Sequence, residues 1–587
     1  MDLIKLTGIK MSFLQKGGSM NINPLLKLDY PDPDIIRVDD TYYMVSTTMY
    51  FMPGCEILRS YDLVNWEHAS YVYDRLDSTP GQRMEDDGNI YGQGMWAASL
   101  RFHEGFFYIC FVANDTHKTY IYSSPSIEGP WEKYTLNDFY HDNSILFDDD
   151  GRIYIVYGNK EIYIRELQGI PQEDGRLRLS DDDSEPEMLL LRDTDEVWLG
   201  FEGSHFYKIG GKYYLFFIHM PKSTGKRTES CYVADSPYGP YYGKDVMDDD
   251  RGYRRSGVAQ GGIVCDPEGN DYAILFQDSG AVGRIPVLMP VKWREVDLAD
   301  IPDTYVNSGE NNMIVPLEES YEAFFPFFGE DGVIPEEFEV TDLNPGYKYI
   351  PLVSSDDFRG SGEKSGFYDT FGFKSCWQFS HEPDLDLISR DTGAGTFTVK
   401  TDKISQNLVQ AKNVLTQRTR FPGCACSVDL DASGLNDGDF AGLCALESNY
   451  SFVAVTKENG EYYAIMCSRT IDGGMWGERH DKESAKVIEK VKISSPKIRL
   501  HSAFCFDHTL LNRSVDPDKT VSLVSLPEAD DTVYFGYREP EGPRHSIGSP
   551  QKLVFKLDHF TGVRAGLFIF STKETGGAAT FSNFRYS

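Results

Sequence analysis

A repeated pattern of aromatic strands dominates the first half of this 587-residue chain. A turn rich in Asp and Gly precedes each strand, which then alternates aromatic or β-branched residues with others, as a hairpin strand does. The strands centre on Tyr43, Tyr108, Tyr154, Tyr214 and Tyr272. A period of roughly 50–60 residues with several strands per repeat is typical of propeller blades. The pattern therefore predicts an all-β fold with a five-bladed β-propeller over residues 21–300.

A second element recurs between these strands. It consists of a strand, a turn of Ser, Asp or Pro and an aromatic residue, as in ILRSYDLVNWEH (57–68), YSSPSIEGPWEKY (122–134) and VADSPYGPYYG (233–243). This order suits the outer strands of a blade. Helical periodicity is nearly absent from the same region.

The amino-acid composition changes after the repeats. Residues 301–354 are acidic and contain several prolines, which indicates a long linker that wraps one domain and leads into the next. Residues 355–587 contain short alternating strands without a blade repeat, which predicts a β-sandwich. Residues 1–20 lack a sustained apolar segment and a cleavage site, so we interpret them as a leader or a non-native start, with Met20 as an alternative initiator.

The charge balance limits the classes of partner. The chain has 91 acidic and 57 basic residues and a net charge of −34. Nucleic-acid binding is disfavoured because it needs a basic surface, and an anionic membrane would repel the chain. The 10 cysteines are scattered, which indicates buried free thiols in a reducing compartment. The charge balance leaves neutral substrates open, and without an export signal we expect a cytoplasmic protein.

Three acidic residues lie where the innermost strands of a propeller converge. Asp32 stands between two prolines that restrict its backbone, and Asp142 directly precedes an apolar strand. Glu202 lies in an apolar and aromatic segment, a setting that favours the protonated carboxyl of a general acid. An ordinary turn or a buried structural carboxylate remains the alternative for each of them.

Six ordered motifs of the first half resemble glycoside hydrolase family 43. They include NPLLKLDYPDPDIIRVDDTYYMV, GMWAASLRFHEGFFYI, DNSILFDDDGRIYIVYG and FEGSHFYKIGGKYYLF. The second half, with DTFGFKSCWQFSHEPD and DGDFAGLCAL, resembles the concanavalin-like β-sandwich that accompanies this propeller in the family. The resemblance covers residues 21–587.

The resemblance implies roles for individual residues. Asp32 matches the general base and Glu202 the general acid, while Asp142 matches the third carboxylate, which orients the acid and modulates its pKa. Arg284 matches an arginine that contacts the sugar. Phe51 and Trp96 match apolar walls of the sugar subsite.

One position departs from the family pattern. Many members have a His where this chain has Ala259, and that His often coordinates a calcium ion or a water cluster on the propeller axis. Ala cannot coordinate a metal, although the adjacent Gln260 supplies a polar group. We therefore predict that no cofactor is required and that a calcium site is doubtful.

These observations predict an inverting exo-glycosidase that hydrolyses xylose- or arabinose-containing oligosaccharides, as a β-1,4-xylosidase, an α-L-arabinofuranosidase or both. The alternatives are an endo-acting arabinanase or xylanase and a non-catalytic sugar-binding propeller. We interpret the sandwich as a cap that narrows the mouth of the propeller, with a separate carbohydrate-binding module as the alternative. The sequence leaves the oligomeric state open, including a homo-oligomer.

Overall fold

A computed structural model describes residues 22–182, 185–309, 311–360, 370–471, 473–475, 483–510 and 529–587. The predicted leader, residues 1–20, lies outside these ranges. Within them the chain forms β-strands connected by turns, an α-helical turn at residues 508–510 and five short 3-10 helices. The 3-10 helices are Gly280–Val282, Leu298–Asp300, Thr370–Gly372, Leu385–Leu387 and Leu408–Gln410.

The first half forms five antiparallel blades around a common axis. The strands in chain order are β1 (Asp34–Val38), β2 (Thr41–Ser46), β3 (Phe51–Met52), β4 (Gly54–Ser60), β5 (Glu67–Tyr73), β6 (Met95–His103), β7 (Phe106–Ala113), β8 (Lys118–Ser124), β9 (Glu132–Leu136), β10 (Ser144–Phe147), β11 (Ile153–Asn159), β12 (Glu161–Pro171), β13 (Leu177–Ser180), β14 (Met188–Arg192), β15 (Val197–Ile209), β16 (Lys212–Pro221), β17 (Thr228–Ala234), β18 (Tyr242–Met247), β19 (Val258–Cys265), β20 (Asp271–Asp278), β21 (Arg284–Asp297), β22 (Tyr305–Ser308), β23 (Met313–Pro316) and β24 (Glu322–Phe328). The blades, each given from the inside outwards, are β1-β2-β4-β5, β6-β7-β8-β9, β10-β11-β12-β14, β15-β16-β17-β18 and β19-β20-β21-β24.

The innermost strands close a ring. β1 packs against both β6 and β19, and β10 and β15 complete the circle. The five tyrosines of the repeat lie in β2, β7, β11, β16 and β20, the second strand of each blade. The repeat therefore predicted the number of blades and the position of each aromatic strand, and the all-β fold with a propeller is confirmed.

The predicted boundary at residue 300 requires a correction. The fifth blade takes its outer strand β24 from the segment that we predicted to be a linker, and the hairpin β22–β23 joins the third and fourth blades by pairing with β14 and β18. These strands were not predicted because the segment is acidic and rich in turn-forming residues. After β24 the chain crosses the first blade, where Leu343 N donates to Tyr61 O and Ile350 N to Glu67 Oε2, both within 2.9 Å.

The second half forms a sandwich of two sheets. Its strands are β25 (Gln378–Ser380), β26 (Ile388–Asp391), β27 (Thr396–Lys400), β28 (Leu415–Arg418), β29 (Gly423–Asp431), β30 (Asp439–Leu446), β31 (Ser451–Glu458), β32 (Glu461–Ser468), β33 (Lys486–Lys492), β34 (Lys497–Cys505), β35 (Thr532–Arg538), β36 (Arg544–Lys552), β37 (Arg564–Ser571) and β38 (Ala578–Tyr586). The eight-stranded sheet has the order β3-β25-β28-β37-β30-β31-β32-β33, and the seven-stranded sheet β26-β27-β38-β29-β34-β35-β36.

One short strand from the propeller half of the chain belongs to a sheet of the sandwich. β3, from the chain between two strands of the first blade, pairs with β25 and becomes the edge of the eight-stranded sheet. One face of that sheet packs on the propeller, where Phe452 and Phe568 join a core with Tyr50 and Tyr91. The seven-stranded sheet covers the opposite side of the sandwich core.

Two further expectations can be compared with the structure. All 10 cysteines are free thiols, and nine of them are buried, whereas Cys265 is exposed. Among the described residues, no helix has the length and apolar character needed to cross a membrane.

Candidate active site

Asp32 lies directly before β1, with a φ of 50° that few residues other than Gly adopt. Its carboxylate is buried and held on both sides: Arg284 Nη1 donates to Oδ1 and Thr47 Oγ1 donates to Oδ2, each at 2.7 Å. Burial raises the pKa of Asp32, and the Arg284 guanidinium opposes that rise. The result is a fixed carboxylate with a basicity above that of an exposed Asp.

Asp142 enters the site from the turn before β10, again with a positive φ of 46°. Its Oδ2 accepts a hydrogen bond from Gly203 N at 3.1 Å, and its backbone O accepts one from Ser204 N at 3.2 Å. Burial raises the pKa of Asp142, His141 opposes the rise, and the neighbouring Glu202 adds to it. Asp142 therefore hydrogen-bonds to the backbone of β15, the strand that carries Glu202.

Glu202 lies within β15 between two irregularities of the ladder with β16. Such bulges turn a side chain away from the regular direction of the strand. Its Oε2 accepts a short hydrogen bond from Asn159 Nδ2, and the side chain is 18% exposed. Gly203 follows with a φ of 64°, and a Cβ there would lie 2.4 Å from Cδ of Gln260, so the tight approach of two innermost strands requires Gly.

His141 lies between these acids, and the sequence did not single it out. Its Nε2 is 3.8 Å from Asp142 Oδ1 and 3.8 Å from Glu202 Oε2. Asp142 is the main reason that the pKa of His141 rises to about 9, so the imidazole is charged at neutral pH. In the described ranges this trio is the single group of three or more metal-ligating side chains whose ligand atoms all lie within 4.8 Å.

Arg284 is fixed in position, and two of its N–H donors have no hydrogen-bond partner among the described residues. Its guanidinium lies 5.2 Å from the ring centroid of Phe276 and 4.5 Å from that of Phe560. Nε and Nη2 are buried without a hydrogen-bond partner in the described structure. Because unsatisfied buried donors are costly, these two groups are candidates to bind sugar hydroxyls.

Arg227 is a second, half-buried guanidinium that the sequence analysis missed. Its Nε donates to Asp278 Oδ2 at 2.6 Å, and it lies 5.3 Å from the Phe276 centroid. Its charge lowers the pKa of Asp32, so Arg227 adds to the positive field around this carboxylate. No local motif marks this residue, because it reaches the site through the propeller fold.

The apolar walls differ in part from the prediction. Trp96 lies beside the site, with its ring centroids 6.2 Å from His141 and 5.3 Å from Phe560. Phe51 does not line it: the side chain is 0% exposed, and Arg564 covers its ring at 3.9 Å. Pairing of β3 with β25 draws Phe51 into the interface between the domains, which corrects its predicted role as a wall.

The sandwich places an aromatic ring at the site. Residues 556–563, which we name the capping loop, place Phe560 between Trp96 and Arg284. Gly562 N in this loop donates to Asp29 Oδ2, while Arg284 N donates to Asp29 Oδ1, both at 2.8 Å. One carboxylate therefore fixes both the loop and the backbone of Arg284.

The axis of the propeller does not fit a divalent cation. Ala259 is fully buried in an apolar cluster with Ile218 and Phe276, and Gln260 N donates to Glu229 Oε2 at 2.7 Å. The axial carboxylate of Asp34 already accepts bonds from Leu100 N at 2.8 Å and Arg101 Nη1 at 2.7 Å, with His205 Nδ1 at 3.3 Å.

Burial would raise the pKa of Asp34, but Arg101 and His205 lower it to about 2. A guanidinium therefore supplies the positive charge on the axis, and a metal ion there would be repelled by it. We derive no step through a metal.

The comparisons with known proteins agree with this geometry. Residues 22–297 match the model of glycosyl hydrolases family 43, and residues 368–587 match the beta-xylosidase C-terminal concanavalin A-like domain. A beta-xylosidase of Formosa agariphila is 29% identical over 422 residues, which is 68% of this chain and 64% of that protein. A non-reducing end alpha-L-arabinofuranosidase of Bacteroides ovatus is 24% identical over 79% of this chain and 81% of its own length.

Among solved structures, a bifunctional GH43-CE protein of Bacteroides eggerthii is similar along nearly the whole chain. It is 35% identical with a TM-score of 0.76, over 96% of this chain and 63% of that one. This chain thus spans a little under two thirds of the first relatives that it matches. The propeller match, the sandwich match and the position of the three acids lead to one conclusion: the chain belongs to glycosyl hydrolases family 43.

Proposed function

We propose that the protein is an inverting, exo-acting glycosidase that releases xylose or arabinose from short oligosaccharides. One observation carries the proposal: Asp32, Asp142 and Glu202 lie in one site with Arg284. Each of the three carboxylates accepts a hydrogen bond from another group of the protein. Relatives named as a beta-xylosidase and an alpha-L-arabinofuranosidase support this substrate class.

The chemistry follows from where each proton can go. Asp32 takes a proton from a water molecule, whose oxygen then attacks the anomeric carbon. Glu202 gives its proton to the glycosidic oxygen, and the leaving sugar departs with it. Inversion requires a gap of about 6.5–9.5 Å between the two carboxyls to admit the water. Asp32 and Glu202 come from two blades that are not neighbours, the first and the fourth, and such an origin suits this gap.

The remaining residues position these groups. Thr47 and Arg284 hold Asp32 at 2.7 Å each, so its carboxylate does not rotate away from the water. Asp142 fixes the strand around Glu202 through Gly203 N. Arg284 donates from Nε and Nη2 to hydroxyls of the sugar. The rings of Trp96 and Phe560 pack on the apolar face of the sugar.

The capping loop favours exo over endo action. A groove for a polymer must be open on both sides of the cleaved bond, whereas Phe560 reaches across the site from the other domain. We therefore expect monosaccharides, and not long fragments, as the first products from oligosaccharides.

The test is a panel of p-nitrophenyl glycosides with the purified chain, followed by proton NMR of the sugar released from xylobiose or an arabino-oligosaccharide. We expect activity on the β-D-xylopyranoside, the α-L-arabinofuranoside or both, and a first product with the anomeric configuration opposite to that of the substrate. A retained configuration contradicts the inverting mechanism. Sugar binding without any turnover would support the non-catalytic alternative.

A further inference from the structure

The outer face of the seven-stranded sheet carries a group of arginines. In β34, Ile498 and Leu500 point into the sandwich core, so the alternate residues Arg499 and His501 point outward. In the register of the sheet Arg499 lies opposite Arg538 in β35, and Arg538 lies opposite Arg544 in β36. We name Arg499, Arg538 and Arg544, with His501 beside them, the arginine cluster.

A glycine brings the cluster together. Gly536 lies opposite His501, and a Cβ at Gly536 would be 3.4 Å from Arg544 Nε. The Arg544 side chain thus lies over the bare backbone of β35 while it remains exposed to solvent. Like charges on directly opposed strand positions destabilise a sheet unless something compensates them.

The protein compensates only part of this charge. Arg499 Nη1 donates to Asp429 Oδ1 at 2.6 Å, and its Nη2 donates to Ser427 Oγ at 2.8 Å. Arg538 and Arg544 form no ion pair with any carboxylate of the described residues. Uncompensated arginines are notable in a chain with a net charge of −34.

His501 supplies a neutral donor or acceptor at the same place. Burial lowers the pKa of His501 to about 3, and Arg544, Arg499 and Arg538 each contribute to the lowering. The imidazole is therefore uncharged at neutral pH. Its Nε2 is buried and has no hydrogen-bond partner in the described structure.

We propose that the arginine cluster binds the carboxylate of an acidic saccharide. A guanidinium presents two parallel N–H groups that match the two oxygens of a carboxylate, and an anion here would relieve the repulsion among three cations. The neutral imidazole can hydrogen-bond a sugar hydroxyl beside that carboxylate. An acidic sugar is chosen over other anions because this chain is proposed to act on saccharides, so that this part of the inference rests on the proposed function.

The experiment measures binding to the full chain by isothermal titration calorimetry. The probes are sodium D-glucuronate, D-glucose as its neutral counterpart, and inorganic phosphate as an anion that is not a sugar. The variants are Arg544→Gln and Arg538→Gln, and the matched control is Lys400→Gln, which removes one exposed charge from β27 of the same sheet.

We expect D-glucuronate to bind and D-glucose not to bind. Each arginine variant should weaken glucuronate binding about tenfold or more, since charge-assisted hydrogen bonds are lost, while Lys400→Gln stays within about twofold of wild type. Added xylose should not compete, and hydrolysis of an aryl glycoside should be unchanged in all variants.

Three results would overturn the inference: no binding of glucuronate, equal binding by the arginine variants, or tighter binding of phosphate than of glucuronate. The measurement needs no turnover. If the protein is inactive but binds glucuronate through the cluster, the proposed function is wrong and the inference about the arginine cluster stands. If the protein is active but does not bind glucuronate, the proposed function stands and the inference about the cluster is wrong.

Discussion

Asp32 is the residue on which the proposed hydrolysis depends most. Asp32→Ala should lower turnover of oligosaccharides by about 10²–10⁴, the usual effect of a lost acid–base group. Xylose binding measured by calorimetry should be largely retained, because the proposed sugar contacts come from Arg284, Trp96 and Phe560. Asp40→Ala is the control, since Asp40 is an exposed acid of the turn after β1. Turnover at the wild-type rate in Asp32→Ala would remove this residue from the mechanism.

Glu202 and Asp142 can be distinguished by the leaving group. A p-nitrophenolate departs nearly unaided, whereas a sugar needs a proton from the acid. Glu202→Ala should therefore keep much of its activity on aryl glycosides and lose several orders of magnitude on xylobiose. Asp142→Asn removes a group that donates no proton, so its ratio of aryl to natural activity should change less. Equal losses on both substrates in both variants would contradict these roles.

The capping loop is the element that joins the two domains at the site. Phe560→Ala removes a ring that contacts Trp96 at 5.3 Å and Arg284 at 4.5 Å. Aromatic contacts of this kind contribute about 0.5–1.5 kcal/mol beyond burial, so we expect KM to rise by about three- to tenfold, with a smaller effect on kcat. Phe324→Ala, at an exposed position of β24, is the control. An unchanged KM would show that the loop does not contact substrate.

The elements also show what the sequence could predict. The aromatic strands repeat locally, so the number of blades and the place of each Tyr follow from spacing alone. The acids of the site stand beside strand ends and could be proposed from motifs. Phe51 was placed wrongly because β3 leaves its own blade to pair with β25, and Phe560 was missed because it comes from the other domain. Both errors concern pairings between distant segments, which no local pattern records.

At the scale of the whole molecule, a buried ion pair connects the domains. Glu56 Oε2 lies 2.6 Å from Arg418 Nη2 of the sandwich, and Glu56 Oε1 lies 2.7 Å from His68 Nδ1. Arg418 also stacks on Tyr30 at 3.9 Å and donates to Asp29 O at 2.7 Å. Arg418→Met should therefore destabilise the protein by about 3–5 kcal/mol, because it leaves a buried carboxylate without its counter-ion.

Thermal unfolding is the measurement, with Arg585→Met, an exposed arginine of β38, as the control. If the pair matters, the double variant Glu56→Gln with Arg418→Met should recover part of the loss, since no unpaired charge then remains. A Tm for Arg418→Met equal to that of the control would contradict the prediction.

The same pair predicts how stability depends on pH. Burial would raise the pKa of Glu56, but Arg418 and His68 lower it to about 2. The pKa of Glu in an unfolded chain is about 4.3. The stability that the pair contributes, about 3 kcal/mol, is therefore complete above pH 4.3 and is lost as the pH falls towards 2. Denaturant unfolding between pH 6 and 3 should show this decline in wild type and a flatter profile in Glu56→Gln with Arg418→Met.

The path of the chain through the capping loop has a consequence for protein synthesis. A ribosome produces Asp32, Asp142 and Glu202 long before it produces Phe560, which contacts Arg284, and Gly562, which donates to Asp29. A nascent or prematurely terminated chain therefore carries all three acids yet has an incomplete pocket. The proposed hydrolysis therefore requires that the second domain has emerged and docked, and we expect fragments released early to be inactive on sugars.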